Sequence, residues 1–66
     1  MEEKEMTPRE KEVLKRLVAG LSNKEIADEL FISVHTVKAH LESIFEKTGA
    51  INRVQAAVFA VNNKLV

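Results

Sequence analysis

Residues 23–42 read NKEIADELFISVHTVKAHLE, and the fold turns on how this stretch divides. Ser22 just before it, with Glu25 three residues on, is a capping box: the hydroxyl takes an otherwise unpaired helix N–H and the carboxylate takes the cap's own. Ile26, Ala27 and Leu30 then share one side of a short helix, roughly 23–30. Phe31-Ile32-Ser33 interrupts it, and Ser33 caps the next helix. There Val34, Val37, Leu41, Ile44 and Phe45 stand at offsets 0, 3, 7, 10 and 11, one face of a helix with 3.6 residues per turn. Gly49 closes it. A small residue at the crossing (Ala27), apolar residues that lock it (Ile26, Leu30, Ile32, Val37) and a short turn give the layout of a helix-turn-helix over 23–42. Plain helical hairpins share that spacing, and Phe31 stands where many such turns carry Gly.

The same grammar extends both ways. Thr7-Pro8-Arg9-Glu10 is a second capping box, with Pro8 where its missing N–H costs nothing. Val13, Leu14, Leu17 and Val18 follow at helical spacing, and Gly20 ends a first helix at roughly 8–19. Asn52-Arg53-Val54-Gln55 opens a fourth helix running to about Asn62. No stretch alternates as a strand does. The pattern predicts an all-α fold, a compact four-helix bundle with a single domain over 1–66 and a flexible segment at 1–6.

Composition narrows the function. A chain of 66 residues has little core, and a domain this small buries only ~60% of its unfolded surface. Cys is absent, so neither disulfides nor thiolate–metal sites staple it. No apolar run approaches the ~18 residues of a membrane span, and the acidic, polar start is not a signal peptide. A cytoplasmic location with no membrane association is expected. Net charge is zero, but unevenly spread: residues 1–30 carry six Lys/Arg against eight Asp/Glu, and residues 31–66 carry four against two. No Gly-rich phosphate loop and no convergent acid, base and nucleophile point to an enzyme, and no cofactor or small-molecule ligand is expected. His35 and His40 are five residues apart and face different ways, so no metal site is expected.

Taken together, TPREKEVL, the run GLSNKEIA, SVHTVKAH and RVQAAV resemble the LuxR/NarL-type effector domain of bacterial transcription regulators, in order and spacing from Thr7 to Ala60. The resemblance implies a four-helix domain that binds double-stranded DNA through its third helix and dimerises through its fourth, residues 53–62. In that family the domain usually hangs from a receiver or ligand-sensing domain.

A recognition helix enters the major groove by its N-terminal half. The side opposite Val37, Leu41 and Ile44 carries His35, Lys38, Ala39, Glu42 and Ser43. The family pattern puts base-reading positions at Lys38, Ala39 and Glu42. Lys38 suits guanine O6 and N7, Ala39 a thymine methyl, and Glu42 cytosine N4. Glu42 departs from relatives with a basic or amide side chain there; pairing with Lys38 at i,i+4, which would hold the ammonium in place, is the slightly favoured role. Phosphate contacts are expected from Asn23 and Lys24 at one helix start, Ser33, His35 and Thr36 at the next, and Lys47 and Arg53 beyond. For Lys24 and Arg53 the bland reading is an ordinary surface charge.

The fourth helix carries two apolar stripes, Val54, Ala57, Val58, Val61 and Ala56, Phe59, Ala60. Small residues beside one aromatic suit a symmetry mate, so Ala56, Phe59 and Ala60 are the expected homodimer interface; Phe59 completing the monomer core is the alternative. A two-fold dimer would read an inverted repeat. The competing function is a helical interaction module contacting RNA polymerase or a regulatory partner.

Overall fold

The computed structural model describes residues 5–65. Its helices are α1 (Pro8–Val18), α2 (Asn23–Leu30), α3 (Val34–Thr48) and α4 (Arg53–Asn62), and no strand occurs among the described residues. Each start is set by a side chain. Thr7 Oγ1 accepts from the Glu10 N–H at 3.1 Å while Glu10 Oε1 accepts from the Thr7 N–H at 2.9 Å. Ser22 and Glu25 repeat the exchange at 3.1 and 2.8 Å. Ser33 Oγ accepts from the Thr36 N–H at 3.0 Å. At the start of α4 the capping box that the spacing Asn52–Gln55 suggests closes differently. Asn52 Oδ1 accepts from the Gln55 N–H at 2.9 Å, but Gln55 Oε1 reaches the Ile51 N–H at 3.0 Å rather than that of Asn52.

Helix ends are equally explicit. After α1, Gly20 sits at φ +94°, the Gly20 N–H donates to Leu17 O and the Leu21 N–H to Arg16 O, both at 3.0 Å, which satisfies two terminal carbonyls. After α2 the left-handed position is taken by Phe31 at φ 59°, and the Ile32 N–H closes back onto Ala27 O. A side chain in that conformation is strained, because Cβ crowds the backbone carbonyl.

The core is one cluster: Val13, Leu14 and Leu17 of α1, Ile26, Ala27 and Leu30 of α2, Val37, Leu41 and Ile44 of α3, and Ala56 and Ala60 of α4. α3 is the central helix, packed against the other three, and α1 also packs on α4. Burying a large aliphatic side chain here contributes ~1.5–3 kcal/mol. Val34 and Phe45, read as part of the inward face of α3, lie at its rim, Val34 exposed and Phe45 half-buried.

One expectation is corrected, and another falls largely outside the described residues. The two stripes of α4 are exchanged: Ala56 and Ala60 are fully buried within the single chain, whereas Val54, Val58 and Val61 are 71, 54 and 57% exposed. Small side chains let α4 pack close against the large residues of α1, so Ala56 and Ala60 are not free to meet a partner. Phe59 is half-buried against the other side, facing Met6 and Leu65 across a shallow groove. The expected flexible segment 1–6 lies, for residues 1–4, outside the described residues, but Met6 packs against the core and Glu5 O accepts from Lys47 Nζ at 2.9 Å.

Candidate nucleic-acid interface

The first half of α3 places His35, Lys38, Ala39 and Glu42 at the surface, all exposed, while Val37 and Leu41 behind them are buried. The burial of one stripe therefore fixes the presentation of the other. Lys38 and Glu42 form no ion pair, so nothing in the chain supports the orienting role expected for Glu42; the ion pairs among the described residues are Arg9–Glu12, Arg16–Glu29, Lys24–Asp28 and Lys47–Glu10. Ala39, between Lys38 and Glu42, is the smallest side chain on this surface. Asn23, Lys38, Leu41, Glu42, Phe45 and Arg53 line a cleft of about 310 Å3 where α3 meets the starts of α2 and α4.

The helix starts meet the same region. At α2, Ser22 and Glu25 satisfy each other, while the N–H groups of Asn23 and Lys24 have no partner among the described residues. Such unpaired N–H groups and the positive end of the helix dipole attract anions. Lys24 lies 3.7 Å from Asp28, but both are widely exposed, so this pair is easily exchanged for another partner. At α3, Ser33 Oγ and Thr36 Oγ1 are 3.0 Å apart and share one hydrogen bond.

Two of the expected phosphate ligands are engaged within the chain. Lys47 is only 18% exposed, and its ammonium donates to Glu10 Oε1 at 2.7 Å and to Glu5 O at 2.9 Å. A nearly buried carboxylate needs a cation beside it, and Lys47 is that cation rather than a groove-edge charge. Arg53 is half-buried; its guanidinium donates to Asn23 Oδ1 at 2.6 Å and to Leu21 O at 2.8 Å. It sits beside the recognition surface but is already engaged.

Glu10 is more than the cap its spacing announced. Besides the Thr7 N–H it accepts from Lys47 and, through Oε2, from Ser43 Oγ at 2.6 Å. Burial alone raises its carboxyl pKa, but the hydrogen bonds from Lys47, Ser43 and the Thr7 N–H, with the Lys47 charge, outweigh that and hold it at about 2 against an ordinary 4.5. The bonds tie the second half of α3 to α1 and so fix how far the first half projects. Residues 33 and 37 positions away carry no local periodicity with Glu10; a Lys and a Ser one turn apart near a helix C-terminus were the available signal.

Among the described residues no group of three or more His, Cys, Asp or Glu converges as metal ligands would, and no helix is long and apolar enough to cross a membrane.

Comparison with known proteins places this geometry. Residues 4–60 match the family described as bacterial regulatory proteins, luxR family. The chain is 48% identical over 61 residues to the transcriptional regulatory protein LiaR of Bacillus subtilis (strain 168), covering 92% of this chain and 29% of that protein. It is 52% identical over 58 residues to the CsgBAC operon transcriptional regulatory protein of Escherichia coli (strain K12), covering 88% and 27%. The crystal structure of the response regulator ChrA of a heme-sensing two-component system superposes with a TM-score of 0.94 at 41% identity, over all of this chain and 33% of that one. The chain thus spans between a quarter and a third of the length of these relatives.

Proposed function

From the premise that this chain belongs to the luxR family of bacterial regulatory proteins, and is a DNA-binding helix-turn-helix domain of transcription regulators, we propose that it reads a specific duplex sequence through the first half of α3. The observation that carries this is the exposed trio Lys38, Ala39 and Glu42, whose polar members have no hydrogen-bonding or ionic side-chain partner among the described residues. Seated in the major groove, Lys38 donates to guanine O6 and N7, Ala39 lies against a thymine methyl and leaves room for close approach, and Glu42 accepts from cytosine N4. Asn23, Lys24, Ser33, His35 and Thr36 fix the register by touching phosphates at the groove edges. Net charge is zero, so sequence-independent affinity is modest and base reading carries a larger share of binding.

A second copy of the chain covers the Val54, Val58 and Val61 face of α4. That face is apolar, exposed and continuous with Ala57 and Val18 around a shallow groove of about 360 Å3. A two-fold pair joined there sets two recognition helices about one DNA turn apart on an inverted repeat. This regulator acts in the cytoplasm, where bacterial DNA is.

In-vitro selection from a random duplex library at low salt tests the reading. The expected result is enrichment of an inverted repeat with G, T and C among the selected half-site bases. Salt-sensitive retention without any enriched sequence would overturn base reading, and an enriched single half-site would overturn the dimer.

A further inference from the structure

Arg53 is the first residue of α4, where the helix dipole opposes a cation, so its position there needs another reason. Its fork reaches back 30 and 32 residues to Asn23 Oδ1 and Leu21 O, on either side of the α2 cap. Among the described residues the other side-chain hydrogen bonds of α4 stay within a turn of its own ends. The chemistry of the pair is directional. An Asn amide has an acceptor end and a donor end, and Arg has no acceptor, so only Oδ1 can face it. The Asn23 Nδ2 hydrogens are thereby left over, and they meet no partner among the described residues.

We propose that Arg53 is a positioning residue for DNA binding. It holds the Asn23 amide with its N–H groups free to donate to a phosphate; it does not itself contact phosphate. The proposal rests on the DNA-reading role argued above and assigns Arg53 a part within it.

The test is a double-mutant cycle on the duplex that the parent selects, with affinity followed from about 50 to 200 mM salt. Arg53→Gln weakens the parent about ten-fold, but changes affinity by less than about two-fold in an Asn23→Ala background, because the effect runs through Asn23. The salt slope stays within about 0.3 of the parental value, whereas a lost phosphate contact lowers it by about 0.9. Equal losses in both backgrounds, or the larger fall in slope, would overturn the proposal while leaving DNA reading intact. A parent that binds no duplex selectively overturns the DNA reading and this role together. Should thermal unfolding show Arg53→Gln to be unfolded, Arg53→Lys decides: it keeps the charge but not the fork, so parental affinity in that variant would overturn the positioning role and a loss would uphold it.

Discussion

In the first half of α3, His35, Lys38 and Glu42 are exposed and make no side-chain hydrogen bond or ion pair among the described residues; in the second half, Ser43 and Lys47 both bind the same buried carboxylate, Glu10. One continuous helix thus carries two kinds of polar residue. Those of the second half are satisfied within the chain and hold the helix in place. His35, Lys38 and Glu42 of the first half have no such partner among the described residues, and they are the ones the proposed DNA reading employs. The difference teaches which polar residues to suspect of function. A charge that costs the fold nothing and receives nothing from it is available, whereas a charge with several intramolecular partners is already employed. Substitutions that treat the halves alike test the distinction.

The largest effect is expected at the anchored end. Lys47→Ala leaves Glu10 buried with its cation gone, a loss of about 2–4 kcal/mol. A domain of 66 residues has only about 3–10 kcal/mol in total, so urea unfolding should show the variant largely or wholly destabilised at room temperature. A midpoint equal to the parent's would mean that the Glu10–Lys47 pair does not hold α3. At the free end Lys38→Ala should leave urea stability within about 0.5 kcal/mol and cost about 1–3 kcal/mol of discrimination at one base position. Loss of stability there, or retention of the same selected sequence, would break the contrast between the halves.

The same anchor predicts a pH signature. The folded pKa of Glu10 is depressed, to about 2 from an ordinary 4.5, so its contribution is complete above pH 4.5 and drains away as pH falls toward 2. After allowance for solvent screening around the pair, this is on the order of 1–2 kcal/mol. Unfolding midpoints of the parent and Glu10→Gln, compared at pH 7 and pH 2.5, should converge on acidification. Parallel curves at both pH values would remove Glu10 from the account.

What the sequence disclosed follows from which interactions are local. Caps act over three residues, and the spacing of Thr7–Glu10, Ser22–Glu25, Ser33–Thr36 and Asn52–Gln55 places every helix start. The apolar period gives the inward faces of α1, α2 and most of α3, and by subtraction the exposed surface of Lys38, Ala39 and Glu42. α4 defeats that logic because it is apolar on two sides. Bulk suggests that the valines face in, but the narrow gap beside α1 admits only Ala56 and Ala60, and gap width is a property of the assembled bundle. Lys47 and Arg53 fail for a related reason. Their sign was legible, while the partners that occupy them, Glu10 and Asn23, lie 37 and 30 residues away.

The smallest effect tests the turn between α2 and α3. Phe31 holds φ 59°, ψ 42° and is 94% exposed, so the ring recovers almost nothing by burial for the left-handed backbone it must adopt. That conformation costs a residue with Cβ about 1–2 kcal/mol. Gly adopts it without strain but gives the unfolded chain more freedom, which returns part of the gain. Phe31→Gly should therefore stabilise the domain by about 0.5–1 kcal/mol, a rise of a few degrees in unfolding temperature for a chain of this size. The turn residue lies outside the Lys38–Ala39–Glu42 surface, so the selected sequence should not change. A stabilised variant that loses affinity would show that the exposed ring touches the DNA or a partner, and would move the boundary of the free region from His35 back into the turn. A destabilised one would show instead that the ring supports the crossing of α2 and α3, and that an exposed residue can belong with the anchored half.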